Sequence, residues 1–233
     1  MRLYIIRHAD PDYPNKTITP AGHLEAQALS RRMKKQGLDR IYCSPLGRAL
    51  HTMQYTADAL GLQPTILDWT AELSLRHIHQ TLLGSSAVWD AHGHTVHTLG
   101  EISSGNWHTF QPFQEPEYRD RYTQLQADSD ALMATLGYPR EGNVYRIERS
   151  NRDKVAVFCH GGLGLTWLAH LLNIPLPLFW AGFFLPPSSV TTVLFDERGT
   201  EFATPRCIGM GDISHLYAED LPMQPSGIKT NID

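Results

Sequence analysis

Two short apolar runs in this chain end in histidine. Leu3–Ile6 leads into Arg7-His8, and Val155, Val157 and Phe158 of the 154–159 run lead into His160. A continuous apolar stretch of this length suits a strand buried on both faces, and such strands need helices above and below them. The punctuation between the runs supplies those helices. Thr19-Pro20 is a helix start, with Ala26, Leu29 and Met33 at helical spacing and Gly37 as the stop. A second strand is expected over 39–43 and a second helix over 46–60, closed by Gly61, with a third strand over 64–69. Further on, 115–136 reads as a helix, 142–152 as a hairpin-like connector and 163–172 as a helix apolar all round, hence buried. Residues 189–195 and 201–206 read as antiparallel strands. The apolar run 176–185, interrupted by Pro177 and Gly182-Phe183-Phe184, reads as a buried loop. Alternating strands and helices predict an α/β fold, a three-layer α/β/α sandwich with a mostly parallel sheet. At 233 residues one core is sufficient. The expected organisation is a single domain over 1–233, with an irregular insertion or cap at about 73–153.

In such sheets the crevice lies at the carboxyl ends of the strands. Three segments deliver polar groups there: Arg7-His8, Ser44 with Arg48 shortly after it, and His160. Guanidinium forks match phosphoryl oxygens bidentately, and a neutral imidazole is a nucleophile near pH 7. A carboxylic acid must protonate a departing alkoxide. Net charge is −4, so attraction for an anion has to be local, and nothing suggests a nucleic-acid surface. The N-terminal run is too short for a signal peptide, no stretch approaches a membrane span, and Cys43, Cys159 and Cys207 are too scattered for a disulfide framework. Reduced thiols in a cytoplasmic protein are the expectation.

The string "IIRHADPD" resembles the Arg-His-Gly signature of the histidine phosphatases, the phosphoglycerate mutase-like superfamily, with Ala9 in place of glycine. "TITPAGHLEAQALSRRM", "IYCSPLGRALHT", "VAVFCHGG" and "FLPPSSVTTVLF" are similar to further elements of that family, in its order; 1–72 and 154–207 carry the likeness. The resemblance implies a phosphoric monoester hydrolase that needs no metal and no cofactor and works through a phosphohistidine. His8 would accept the phosphoryl group, with Arg7, Arg48 and His160 around the phosphate. Asn15 and the Gly161 amide are further candidate phosphate contacts. Glu72, twenty-four residues after Arg48, is the candidate proton donor; Glu101, fifty-three after it, sits in a string that imitates the family's but at the wrong distance.

The implied partners are a small phosphorylated substrate and inorganic phosphate, with no nucleic acid and no membrane; a homodimer is the assembly to consider. Two other functions stay open: a mutase-like phosphotransferase, and a phosphate-ligand binding protein with weak or no turnover. Six histidines between 77 and 108 invite a metal site but lack accompanying carboxylates or thiolates, so polar loop histidines are the expectation, with Arg76, His77 or His79 at the substrate entrance. Trp69, Trp89, Trp107 and Trp180 read as core or lid anchors.

Overall fold

The computed structural model describes residues 1–80 and 84–228. Strand β1 is Arg2–Arg7, and two-residue strands β2 (Pro11–Asp12) and β3 (Thr17–Ile18) pair across the first loop. Helix α1 follows at Pro20–Gln36, β4 at Arg40–Cys43, α2 at Gly47–Leu60 and β5 at Thr65–Ile66. Next come β6 (Ile78–Gln80), β7 (Gly84–Ser86), a short α3 (Gly93–His97) and the long α4 (Pro116–Thr135). The hairpin of β8 (Arg140–Glu141) and β9 (Val144–Arg146) leads to β10 (Lys154–Cys159) and α5 (Gly161–Leu172). Helix α6 (Leu176–Gly182), β11 (Val190–Asp196), β12 (Phe202–Asp212) and α7 (Ser214–Tyr217) complete the described chain.

The α/β sandwich expected from the sequence is present. Eight strands form one sheet in the order β5-β4-β10-β1-β11-β12-β9-β8. The β5-β4-β10-β1 half is parallel and the remainder antiparallel. Strand periodicity explains the layers, because successive side chains point to opposite faces. Leu3 and Ile5 of β1, with Val155 and Val157 of β10, join one core with Trp167, Leu168 and Leu125 of α5 and α4. Tyr4, Ile6, Ala156 and Phe158 join the other with Leu29, Met33 and Met53 of α1 and α2.

Thr19 caps α1 as expected, its hydroxyl accepting the Gly22 amide at 3.0 Å. The stretch 176–185 departs from expectation: its first part is helix α6. Pro177 lies in the first turn, where a missing N–H costs no intrahelical bond, so the proline admits the helix and does not break it. The third strand is shorter than expected. Only Thr65 and Ile66 pair with β4, and Asp68–Thr70 turn as a 3-10 segment that redirects the chain toward Glu72. The last strand is longer, with register shifts between Val190 and Val193 that let β12 continue past Arg206 to Asp212.

Candidate active site

Strands β1, β10 and β4 lie side by side, with Arg7 opposite Cys159 and Phe158 opposite Cys43. Their parallel direction puts all three carboxyl ends on one edge. Arg7 closes β1, and His8 and His160 stand just beyond β1 and β10. The two imidazole rings have centroids 5.1 Å apart. Arg48, in the first turn of α2, reaches back so that its Nε–H donates to His8 Nε2 at 3.1 Å. Thus Arg7, His8, Arg48 and His160, from three separate segments, are gathered around one point.

His8 is 1% exposed, and its Nδ1 lies 2.7 Å from the Ala9 carbonyl oxygen. A carbonyl only accepts, so Nδ1 carries the hydrogen and Nε2 is left with its lone pair. Burial first, then Arg7 and the neighbouring His160 ring, hold the His8 pKa well below the ordinary imidazole value; the Ala9 carbonyl opposes this and Arg48 adds to it. His160 is fully buried and pushed down to about 2 by burial, Arg48 and Arg7. Its Nε2 is 2.7 Å from Ser44 Oγ, which also accepts the Leu46 amide at 3.2 Å. The Ser44 hydroxyl hydrogen is therefore free to go to Nε2, leaving Nδ1 as the donor. That Nδ1 has no hydrogen-bond partner, and neither does the buried Nε of Arg7. Unmet buried donors of this kind suit an incoming anion.

Arg7 is held from two sides. Nη1 donates to the Leu185 carbonyl at 2.5 Å and Nη2 to the Ser226 carbonyl at 3.2 Å, and Phe184 packs against the guanidinium. A Cβ on Gly161 would sit 3.4 Å from Arg7 Nε, so Gly161 lets α5 begin close beside the arginine.

Glu72 follows the turn after β5. Its Oε1 accepts the amides of Leu163 at 2.7 Å and Leu73 at 3.0 Å, and its Oε2 accepts Gly162 at 3.1 Å. Two of these donors are the free N–H groups that open α5, so the helix end favours the carboxylate. Burial outweighs them and raises the pKa above the usual carboxylate value; the three amides and Arg48 pull the other way. The Trp89 ring lies over Gly162, where a Cβ would be 2.5 Å from it and 3.0 Å from Glu72 Oε1. Only glycine leaves room for that wall.

A cavity of about 480 Å³ joins these groups. Arg7, His8, Arg48, Glu72, Gly161 and Gly162 line its floor; Tyr13, His77, Ser85, Trp89, Asp90, Phe184 and Gly227 are among the residues of its walls. His160 is buried beside His8, with ring centroids 5.1 Å apart. Of the residues singled out in the sequence, Asn15 is not brought here: it is exposed, and its side chain donates to Asp12 at 2.8 Å. Glu101 is exposed and outside the cavity. The loop histidines form no group of three or more metal-ligating residues among the described residues. Sequence reasoning missed Tyr13, Ser85, Asp90 and the tail at Ser226-Gly227.

A model of the histidine phosphatase superfamily (branch 1) matches residues 3–82 and 74–207, which include every floor residue of the cavity. The chain belongs to the histidine phosphatase superfamily. Among curated proteins, the chain is 37% identical over 82 residues to a protein of Hydrogenobacter thermophilus provisionally named phosphoserine phosphatase 2; the match covers 31% of the chain and only 40% of that relative's length. Solved structures share the fold at lower identity. Phosphoserine phosphatase from Entamoeba histolytica, in complex with 3-phosphoglyceric acid, superposes with a TM-score of 0.61 at 19% identity, covering 92% of this chain and 98% of that one. A mycobacterial glucosyl-3-phosphoglycerate phosphatase gives 0.57 at 16%, covering 90% and 98%. The alpha-ribazole phosphatase of Shigella flexneri gives 0.54 at 18%, covering 91% and 97%.

Proposed function

We propose that the chain is a phosphomonoesterase that transfers the phosphoryl group of a small phosphate ester to His8 and then to water. The observation that carries this reading is the setting of His8: buried, with Nδ1 2.7 Å from the Ala9 carbonyl oxygen and Nε2 3.1 Å from Arg48 Nε, surroundings that favour the neutral ring. A phosphate monoester repels anionic nucleophiles, so a neutral imidazole beside two guanidiniums suits attack on phosphorus. Nε2 forms a bond to phosphorus as the ester oxygen leaves with its electron pair. Arg7 Nε, Arg48 and His160 Nδ1 donate to the three peripheral oxygens. Glu72, kept protonated more readily by burial, gives its proton to the departing oxygen. In the second step the Glu72 carboxylate takes a proton from water, whose oxygen displaces His8 from phosphorus, and inorganic phosphate leaves. No step in this sequence calls on a metal or an organic cofactor.

Residues 73–153 act in this reading as a cap within one domain. Trp89 shields Glu72 from solvent, and His77, Ser85 and Asp90 meet the leaving group. The substrates in the relatives' names, phosphoserine and phosphorylated glycerate or glycoside esters, set the class to screen: small phosphorylated metabolites. No helix among the described residues is long and apolar enough to cross a membrane. The test is rapid mixing with p-nitrophenyl phosphate. A burst of nitrophenol equal to the enzyme concentration, with acid-labile phosphate on the protein, is expected from the wild type and absent from His8→Ala. Tight vanadate binding with no burst would instead make this a phosphate-ligand binding protein.

A further inference from the structure

Glu25 has no part in the sequence of steps above. It lies on the inner face of α1, 2% exposed. Its Oε2 accepts the Asp10 amide at 3.0 Å, and its Oε1 is buried without a hydrogen-bond partner. The Asp10 N–H belongs to the same peptide unit as the Ala9 carbonyl, and that carbonyl is the partner of His8 Nδ1. One planar peptide therefore has Glu25 at its donor end and His8 at its acceptor end. Its neighbours are clamped as well. The Ala9 amide donates to Thr52 Oγ1 at 2.9 Å, the Ser188 amide to the His8 carbonyl at 3.0 Å, and the Thr19 amide to the Asp10 carbonyl at 3.0 Å. Gly22 permits the approach of α1, since a Cβ there would come 2.5 Å from the Asp10 carbonyl oxygen. Three residues later Glu25 meets the Ala9–Asp10 peptide.

We propose that Glu25 is a positioning residue for His8, acting through the Ala9–Asp10 peptide: it fixes and polarises that peptide so that the Ala9 carbonyl keeps the hydrogen on Nδ1 and Nε2 stays the nucleophile. The inference rests on the phosphohistidine reading of the site. Hydrogen bonds in series polarise one another, so an acceptor on the N–H end makes the C=O end a better acceptor. A stronger partner at Nδ1 fixes the tautomer and supports the positive charge that the ring gains when Nε2 binds phosphorus. A carboxylate that orients a catalytic histidine directly is a known device; here one peptide bond stands between them. Burial pushes the Glu25 pKa up to about 7; the Asp10 amide, Ser188 and Arg7 favour its charged form, and the Asp10 carboxylate disfavours it. Arg7, Arg48 and His160 face the His8 end of the peptide, and His215 of α7 stands behind Ser188, 3.1 Å from its hydroxyl.

The test compares wild type, Glu25→Gln and Glu25→Leu by ring ¹⁵N spectra of His8, assigned against His8→Gln, and by burst rate with p-nitrophenyl phosphate. Gln keeps an acceptor for the Asp10 amide; Leu does not. Wild type and Glu25→Gln are expected to show the Nδ1–H tautomer and burst rates within about threefold of each other. Glu25→Leu is expected to shift His8 toward Nε2–H and to slow the burst on the order of 10- to 100-fold. A folded Glu25→Leu protein with unchanged tautomer and burst rate would overturn the proposal. A second measurement needs no Leu variant. In wild type, the Asp10 amide and His8 Nδ1 protons should move together through one titration near pH 7 that is lost in Glu25→Gln. Independent movement, or persistence in Glu25→Gln, would also overturn it. If wild type forms no phosphoenzyme, the parent reading fails; if wild type and folded Glu25→Leu form it equally fast, only the assignment of Glu25 fails.

Discussion

The two ends of the cavity are built from different material. At the inner end, Arg7 closes a strand paired residue by residue, His8 and His160 follow directly on two such strands, and Arg48 and Glu72 are anchored by His8 and by the opening amides of α5. At the outer end, His77 precedes β6, Ser85 lies in its three-residue partner strand β7, and Trp89 sits on a 3-10 turn. A strand ladder fixes its end residues with many shared bonds, whereas a short hairpin or turn fixes few. The difference teaches where each task belongs. Chemistry on phosphorus needs positions held to a fraction of an ångström, and recognition of the leaving group tolerates elements that vary.

Substitutions can break this division. The largest effect is expected from Arg48→Ala, which removes both the partner of His8 Nε2 and a phosphate ligand. Its kcat/KM should fall roughly 10²- to 10³-fold for every substrate, alkyl or aryl, measured in steady state. Glu72→Gln should separate the two ends. Hydrolysis of an alkyl phosphate should fall on the order of 10²-fold, while the burst from p-nitrophenyl phosphate, whose leaving group needs little protonation, should fall less than about tenfold. Equal losses would deny Glu72 the role of acid.

Acidity sharpens the comparison in stability. His8 and His160 are held neutral, with folded pKa values below the ordinary value of about 6.5. Their contribution to stability is therefore complete above that pH and is lost as pH falls below it. Urea denaturation between pH 8 and pH 5 should show a decline that His160→Asn makes shallower. The smallest effect belongs to the outer end: His77→Ala should change kcat/KM by less than about tenfold, with a sign that depends on the leaving group, and leave the nitrophenyl burst intact.

The inner end was legible in the sequence because its signals are local. An apolar run names a strand, and the polar residue that ends it must emerge at the sheet edge, as Arg7-His8 and His160 do. Glu72 was a candidate only because the resemblance puts an acid about two dozen residues after the second arginine; the structure places it in the cavity, and Glu101 outside it. The outer end depends on contacts between residues far apart in the chain. Trp89, expected only as a core or lid anchor, meets Gly162, and Ser226 reaches Arg7 and Asp10, with nothing in either segment to name the partner. Asn15 misled because a nearby acid, Asp12, captures its side chain. Glu25 gave no sign either: a charged residue on a helix reads as a solvated one, and only the approach allowed by Gly22 puts it beneath the histidine loop.

The identity of the atom that receives the phosphoryl group decides the mechanism. The most direct measurement is ³¹P and ¹⁵N spectroscopy of the phosphoenzyme trapped in the burst phase. Phosphorus bonded to Nε2 of His8, with the proton retained on Nδ1, is predicted from the bond between Nδ1 and the Ala9 carbonyl. Phosphorus on Nδ1, or on any other residue, would contradict it.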